Sequence, residues 1–252
     1  MKGVVAVLGG NGYVGSSILR ALRSKYPSVG VIAVSRSGKP AFGQVGVSGV
    51  DYVAGDASSS SWGPMLKERG VTGCISCVGA FGSNAHMLAV NGAANANAAR
   101  VAKQNGVERF VYISTVENNL PDFVLKGYFE GKRQAEAVVL KQFSQPGHGV
   151  VLRPSFVYGT RQVGTSLSIP LGLLGRPLEA LLSRSPFSQL QHVIPGMQAV
   201  LAAPVSVEHV AAVAAAAAVG DLGAAGTAAA AGQQTLGPDD IRKYGKLLLG
   251  SS

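Results

Sequence analysis

Tyr128 and Lys132 stand four apart in Tyr128-Phe129-Glu130-Gly131-Lys132, so a helix carrying them presents both on one face. A phenol titrates at about 10 and is a poor proton donor at neutral pH; a neighbouring ammonium stabilises phenolate and brings that value down. Such a pair can pass a proton to a carbonyl oxygen while hydride arrives from a nicotinamide. Ser114 and Thr115 close an apolar run upstream, and either hydroxyl is placed to polarise the same oxygen. A tyrosine and lysine at this spacing recur by chance, so their position relative to a cofactor decides the matter.

A cofactor turn is present at the start of the chain. Gly9-Gly10-Asn11-Gly12-Tyr13-Val14-Gly15 satisfies G-x-x-G-x-x-G through Gly9, Gly12 and Gly15, and G-x-G-x-x-G through Gly10, Gly12 and Gly15. Glycines permit a tight turn and a close approach of main-chain N–H groups to a pyrophosphate, and the helix that follows adds the partial positive charge of its N-terminus. The segment lies between an apolar run and an amphipathic one, the context this fingerprint requires.

Selectivity between dinucleotides is read at the end of the second strand, where an acid would bond the ribose 2′-hydroxyl of NAD. The chain has Ser35-Arg36-Ser37-Gly38-Lys39 there, with no acid. A planar, permanently charged guanidinium suits a 2′-phosphate, so NADP(H) is the expected cofactor. Asp56, after the third strand, has two readings: acceptor for the adenine amino group, or cap of the next helix.

Apolar runs alternate with helical patterns, which predicts an α/β fold with a doubly wound parallel sheet. Strands are expected at Gly3–Leu8, Val31–Ser35, Asp51–Ala54, Gly73–Val78, Arg109–Ser114 and Val150–Arg153. Helices are expected at about 13–25, 87–104 and 124–143, ended by Pro27, Asn105-Gly106 and Pro146-Gly147. The alternation fades after Pro154, which predicts a nucleotide-binding core over 1–160 and a small substrate-side lobe over 161–252. Within that lobe, 207–219 is expected to return to the core as a helix, and the alanine tract 224–231 fits helix, strand or loop.

The totals exclude several classes. The chain of 252 residues is 47% hydrophobic and 14% charged, which excludes a disordered chain. Its 22 Lys+Arg against 13 Asp+Glu give a formal charge of +9, an attractive field for phosphorylated cofactors, nucleic acid or acidic membranes. No cluster of basic residues interleaved with aromatics is present, so nucleic acid is not an expected partner. Cys74 and Cys77 form a C-x-x-C on a strand, where residues three apart face opposite sides, so neither a redox pair nor a metal site is expected. The apolar stretch Leu167–Leu182 is broken by Pro170, Gly172, Arg176 and Pro177 and falls short of a membrane span. With Arg176 and Arg184 it reads as core, as an apolar substrate pocket, or as a peripheral membrane or partner contact. No secretory signal is expected ahead of the first strand.

Taken in order, GGNGYVG, SRSG, GVERFVYIST, YFEGKRQAE and LRPSFVYGT resemble the short-chain dehydrogenase/reductases of the extended or atypical type, over the chain to about Thr160. Pro204–Val210 resembles that family's usual return to the core. Within the family, SCVGAFGSN, VNGAAN, GYFEGKR and GTRQVG look most like an organelle group. It comprises plant plastid proteins called flavin-reductase-related, a fungal accessory protein of coenzyme Q synthesis and, more distantly, the nucleotide-binding accessory subunit of respiratory complex I. The resemblance implies a Rossmann fold, NADP(H), a prenylquinone-related or other apolar substrate, and an organellar, preferably chloroplast, location. It implies cofactor contacts from Gly9, Gly10, Asn11, Gly12, Tyr13, Val14, Gly15, Ser35, Arg36, Ser37, Asp56, Cys77, Val78, Gly79 and Lys132, with Pro154, Ser155 and Phe156 near the nicotinamide. Tyr128 and Lys132 become the acid–base residue and its ribose-binding partner, with Ser114 or Thr115 as the assisting hydroxyl. The tyrosine follows the strand-five hydroxyls more closely than is usual in extended enzymes, and Val116 stands among the positions where a catalytic serine is expected. Two functions stay open on this reading: an NADPH-dependent oxidoreductase, or a nucleotide-holding scaffold without turnover.

Overall fold

A computed structural model of the protein describes residues 3–41, 45–116, 125–163, 167–170, 203–225 and 234–250. Among these the strands are β1 (Val4–Leu8), β2 (Gly30–Ser35), β3 (Val50–Ala54), β4 (Val71–Ser76), β5 (Arg109–Ile113), β6 (Gly149–Leu152), β7 (Val157–Tyr158), β8 (Thr160–Val163), β9 (Leu167–Pro170), β10 (Val205–Ser206) and β11 (Thr235–Leu236). The helices are α1 (Tyr13–Lys25), α2 (Gly63–Glu68), α3 (Asn84–Met87), α4 (Asn95–Gln104), α5 (Lys126–Gln142), α6 (Val207–Val219) and α7 (Pro238–Leu249). A π-helical stretch, Leu88–Ala94, joins α3 to α4 without a break.

The central sheet is parallel throughout, in the order β11-β6-β5-β4-β1-β2-β3. β1 and β2 are buried on both faces, which is why their sequences, VVAVL and GVIAVS, run apolar without alternation. One face packs α1, α6 and α7 against Val5, Val7, Ala33, Ile75 and Val111. The other packs α2, α4 and α5 against Ala6, Leu8, Ile32, Cys74 and Phe110. The order turns around at β1 and β4, the crevice where doubly wound sheets bind ligands beyond their carboxyl ends.

The C-terminal part returns to the core more fully than the sequence indicates. α6 comes back as expected, with Ala211–Ala218 all buried; its chain of alanines fits because the helix lies flat on β4, where a Cβ at Gly73 would meet Ala218 O at 2.4 Å. Thr235 and Leu236 pair with Val151 and Leu152 and cover the edge of β6, and α7 places Ile241 and Tyr244 in the same core. A two-residue strand is too short to register as an apolar run, so the sequence alone places 234–250 in the lobe. Of the apolar stretch Leu167–Leu182, only β9 belongs to the described residues; 171–182 and Arg184 lie outside them, as do residues 226–231 of the alanine tract. No helix among the described residues is long and apolar enough to cross a membrane.

Candidate functional site

The glycine turn is built by steric exclusion. Gly9 takes φ +74°, in the left-handed region, and its N–H donates to Val34 O at 2.9 Å while its carbonyl accepts from Gly12 N at 2.9 Å. Gly15 lies under that carbonyl: a Cβ there would fall 2.2 Å from Gly9 O and 2.8 Å from Gly10 Cα. Gly10 packs beneath the turn against Val7 O and Ala33, and Val14 packs into the core. α1 starts at Tyr13 with Gly12 as N-cap, no side-chain cap and no acid in its first turn. Its N-terminal amides therefore face an opening without a competing side-chain acceptor, the arrangement that receives a diphosphate. The cradle that a single Cβ would fill fits a dinucleotide.

A cleft of about 480 Å³ runs from this turn across the sheet edge. Gly9, Asn11, Gly12, Ser35, Arg36, Asp56, Cys77, Val78 and Gly79 line it, together with Ala57, Ser58, Ala80 and His86. Arg36 is exposed at the far end and interacts with Asp56. Asp56 accepts from Ser58 N at 2.8 Å and Ser58 Oγ at 2.6 Å, and these bonds, then Arg36, hold its carboxyl below the usual range. The helix-cap reading of Asp56 is set aside: α2 starts seven residues later with Trp62 at its N-cap. Ser37 lies off the cleft lining, with its Oγ 3.3 Å from Ser35 Oγ.

The wall after β4 is held by two asparagines that the sequence reading did not single out. Asn91 donates to Ala80 O at 2.9 Å and accepts from Ala80 N at 3.2 Å. Asn95 donates to Val78 O at 3.2 Å and accepts from Ser76 Oγ at 2.6 Å. Both are fully buried within or directly after the π-helical stretch, the kind of helix irregularity that recurs at functional sites. Their i, i+4 spacing inside the otherwise apolar VNGAAN was the available signal.

Helix α5 crosses this stretch at glycine on glycine: a Cβ at Gly131 would lie 2.9 Å from Gly92 N. The close crossing brings Tyr128 and Lys132 over β5. Lys132 is buried, donates to Ile113 O at 2.7 Å, and lies 4.8 Å and 5.7 Å from the ring centroids of Tyr112 and Tyr128. A Cβ built at Gly79 would sit 3.8 Å from its Nζ, so the ammonium abuts the cleft wall. The Thr115 side chain lies near enough to Tyr128 to draw its phenol down, while the Ser114 hydroxyl is buried and without a partner among the described residues. The structure thus brings Tyr128, Lys132 and Thr115 together and leaves the Ser114 hydroxyl unbonded to any of them. Pro154 O accepts from Val116 N, Ser155 Oγ is committed to Ala203 O at 2.6 Å, and Phe156 stands 59% exposed beyond β6. Tyr13 points away from the turn, its hydroxyl toward Gly159.

Burial, not the neighbouring ammonium, governs the proton chemistry of the pair. Burial raises the Tyr128 phenol above its ordinary value, and Thr115 only partly offsets this; Lys132 does not dominate, its ammonium being engaged with Ile113 O. Burial also lowers Lys132 to about 8, against the raising influence of Cys77 and Glu136. Burial holds the Cys77 thiol up at about 12, and Cys74 and Cys77 pack on opposite faces, so neither is a thiolate at neutral pH.

The lowered lysine has a stability consequence. Charging it costs more in the folded than in the unfolded state, so the folded protein binds fewer protons between about pH 8 and 10.5, and this group's contribution improves as pH rises through that window. Lys132→Met should therefore be more stable than wild type at pH 7. With about 1.4 kcal/mol per pH unit of displacement, less about 1 kcal/mol for the lost bond to Ile113 O, the gain is on the order of 2 kcal/mol. Urea melts should show the gain shrinking above pH 8; an equal gain at pH 7 and pH 11 contradicts the assignment.

Sheet order, turn and cleft define an α/β protein of the nicotinamide dinucleotide-binding, doubly wound type. The chain belongs to the NAD dependent epimerase/dehydratase family, whose pattern matches residues 5–172. It is 42% identical over 209 residues to an uncharacterized chloroplastic protein of Arabidopsis thaliana, covering 82% of this chain and 68% of that one. It is 31% identical over 163 residues to the mitochondrial protein FMP52 of Meyerozyma guilliermondii, covering 62% and 66%. The chain thus spans about two thirds of the length of these curated relatives. Its fold is that of Bordetella bronchiseptica WbmH, solved in complex with NAD+, at a TM-score of 0.57 and 17% identity over 87% of this chain and 72% of that one.

Proposed function

We propose that the protein is an atypical short-chain reductase that uses NADP(H) to reduce an apolar carbonyl or quinone-related substrate in an organelle, the chloroplast favoured over the mitochondrion. The observation that carries the reading is Tyr128 set over a buried Lys132, 5.7 Å from its ring centroid, where the lysine abuts the dinucleotide cleft at Gly79. When bound, the reduced nicotinamide supplies hydride to the carbonyl carbon. Tyr128 delivers the proton to the carbonyl oxygen, and Thr115, beside the phenol, orients it. Lys132 fixes the position of the pair against β5 and offers its remaining N–H groups toward the cleft at Gly79. An apolar substrate is supported by the exposed rings of Phe81 and Phe156, beyond β4 and β6 on either side of β5. The organelle rests on the chloroplastic and mitochondrial relatives, and the prenylquinone class and peripheral membrane association on the sequence resemblance.

NADP(H) rests on Arg36 where NAD-selective relatives of this fold place an acid. Calorimetric titration should give tighter binding of NADPH than NADH, and Arg36→Ala should cut the preference about tenfold through loss of one charge-assisted contact. Equal affinities in the parent protein would remove the assignment.

A second reading, a nucleotide-holding scaffold without turnover, is favoured by one contact. Phe81 stacks on Tyr128 with ring centroids 5.0 Å apart and planes 10° from parallel, covering the ring that a substrate must approach.

A further inference from the structure

Glu136 follows Lys132 by four residues and Tyr128 by eight, so the three side chains line one face of α5. Like Lys132, Glu136 is buried. Its carboxylate is held from β6 by the guanidinium of Arg153: Nε donates to Oε1 at 3.1 Å and to Oε2 at 3.2 Å, and Nη2 donates to Oε2 at 2.5 Å. The site as described uses neither group. Glu136 is buried while the Arg153 side chain is 26% exposed; a buried carboxylate is costly to desolvate, so its placement one turn beyond a buried lysine calls for another account.

We propose that the Glu136–Arg153 pair sets the charge that Lys132 feels, with Glu136 acting as a positioning residue that keeps the lysine an ammonium and Arg153 limiting how strongly it does so. The inference rests on the reading of Tyr128 and Lys132 as the proton-handling pair. The groups facing Lys132 are Cys77 after β4, the Tyr112 ring and Ile113 carbonyl of β5, and Tyr128 and Glu136 of α5 itself. Among these, Glu136 is the one carboxylate, ion-paired with Arg153, and the Cys77 thiol is held protonated by burial. Desolvation drives Lys132 toward the neutral amine, and a neutral amine neither stabilises phenolate nor attracts a phosphorylated ligand. Glu136 opposes that drive, and Arg153, fixing both carboxylate oxygens, tempers the opposition.

The two partners therefore act with opposite sign. Removing the carboxylate leaves Lys132 facing the Arg153 guanidinium and makes it more acidic; removing the guanidinium bares the carboxylate and makes it more basic. A purely structural role moves both variants the same way. The test is the 15Nζ resonance of Lys132, assigned by its loss in Lys132→Met and followed from about pH 6 to about 11 in protein without dinucleotide or substrate, so it stands apart from any failure of cofactor binding or turnover. Glu136→Gln should move the midpoint down by about one pH unit, a tenfold rise in neutral amine at a given pH; Arg153→Gln should move it up; Glu136→Asp, which keeps the charge, should hold the wild-type midpoint. Each variant is decisive alone once circular dichroism shows that it folds, because each carries its own sign. Shifts in one common direction, or an unmoved midpoint, overturn the proposal.

Discussion

Tyr128→Phe is expected to lower the rate of NADPH oxidation by a factor of about 10²–10⁴ while leaving the dissociation constant for NADPH within about twofold. Among the described residues, the phenol is the one titratable hydroxyl set beside both Thr115 and the buried Lys132. Its ring packs between Phe81, stacked at 5.0 Å, and Phe129, edge-on at 5.3 Å, so removing one oxygen leaves the packing intact. The phenol's raised value means that it is protonated at every physiological pH, which suits a proton donor and disfavours the reverse direction, where a phenolate must accept a proton. The measurement is absorbance at the reduced nicotinamide band against a panel of apolar aldehydes, ketones and quinones. A variant as active as its parent would remove Tyr128 from the chemistry. A parent inactive across the panel, with NADPH bound, would favour the scaffold, in which Phe81 stays closed over Tyr128.

The second large effect lies at the turn. Gly15→Ala should weaken dinucleotide binding by about a hundredfold or more, because the new methyl would sit 2.2 Å from Gly9 O and must displace the carbonyl around which the loop is folded. Displacing it also breaks the Gly12 N–Gly9 O bond that sets the start of α1. The sheet does not depend on that bond, so circular dichroism should remain that of the wild type while the calorimetric affinity collapses. Affinity within about twofold of wild type would show that the ligand does not use this turn.

These effects trace to features of very different legibility in the sequence. The turn was readable because it compresses a steric requirement into seven residues: only glycine tolerates φ +74° at Gly9 beside a backbone contact at Gly15. Strands β1, β2, β4, β5 and β6 were readable because burial on both faces leaves unbroken apolar runs, and α1 was placed to the residue, 13–25. Tyr128 and Lys132 were visible as a spacing, but their proton chemistry was not, because it depends on depth of burial and on the Ile113 carbonyl that the ammonium reaches. Ser114 and Thr115 are equivalent in the chain; in the fold Thr115 influences Tyr128, whereas the Ser114 hydroxyl is buried without a partner among the described residues. β11 escaped notice because its partners in β6 are far away in sequence and its two residues carry no pattern of their own. Asp56 lines the cleft, and its bonds to Ser58 make a local turn, not a helix cap, a distinction that residue type alone does not carry.

The most direct test of the account is a calorimetric titration of the unmodified protein with NADPH and then NADH. One dinucleotide per chain is predicted, with NADPH held more tightly and with binding lost in Gly15→Ala. Saturating concentrations of both nucleotides that produce no heat, and no change in melting temperature, would contradict it.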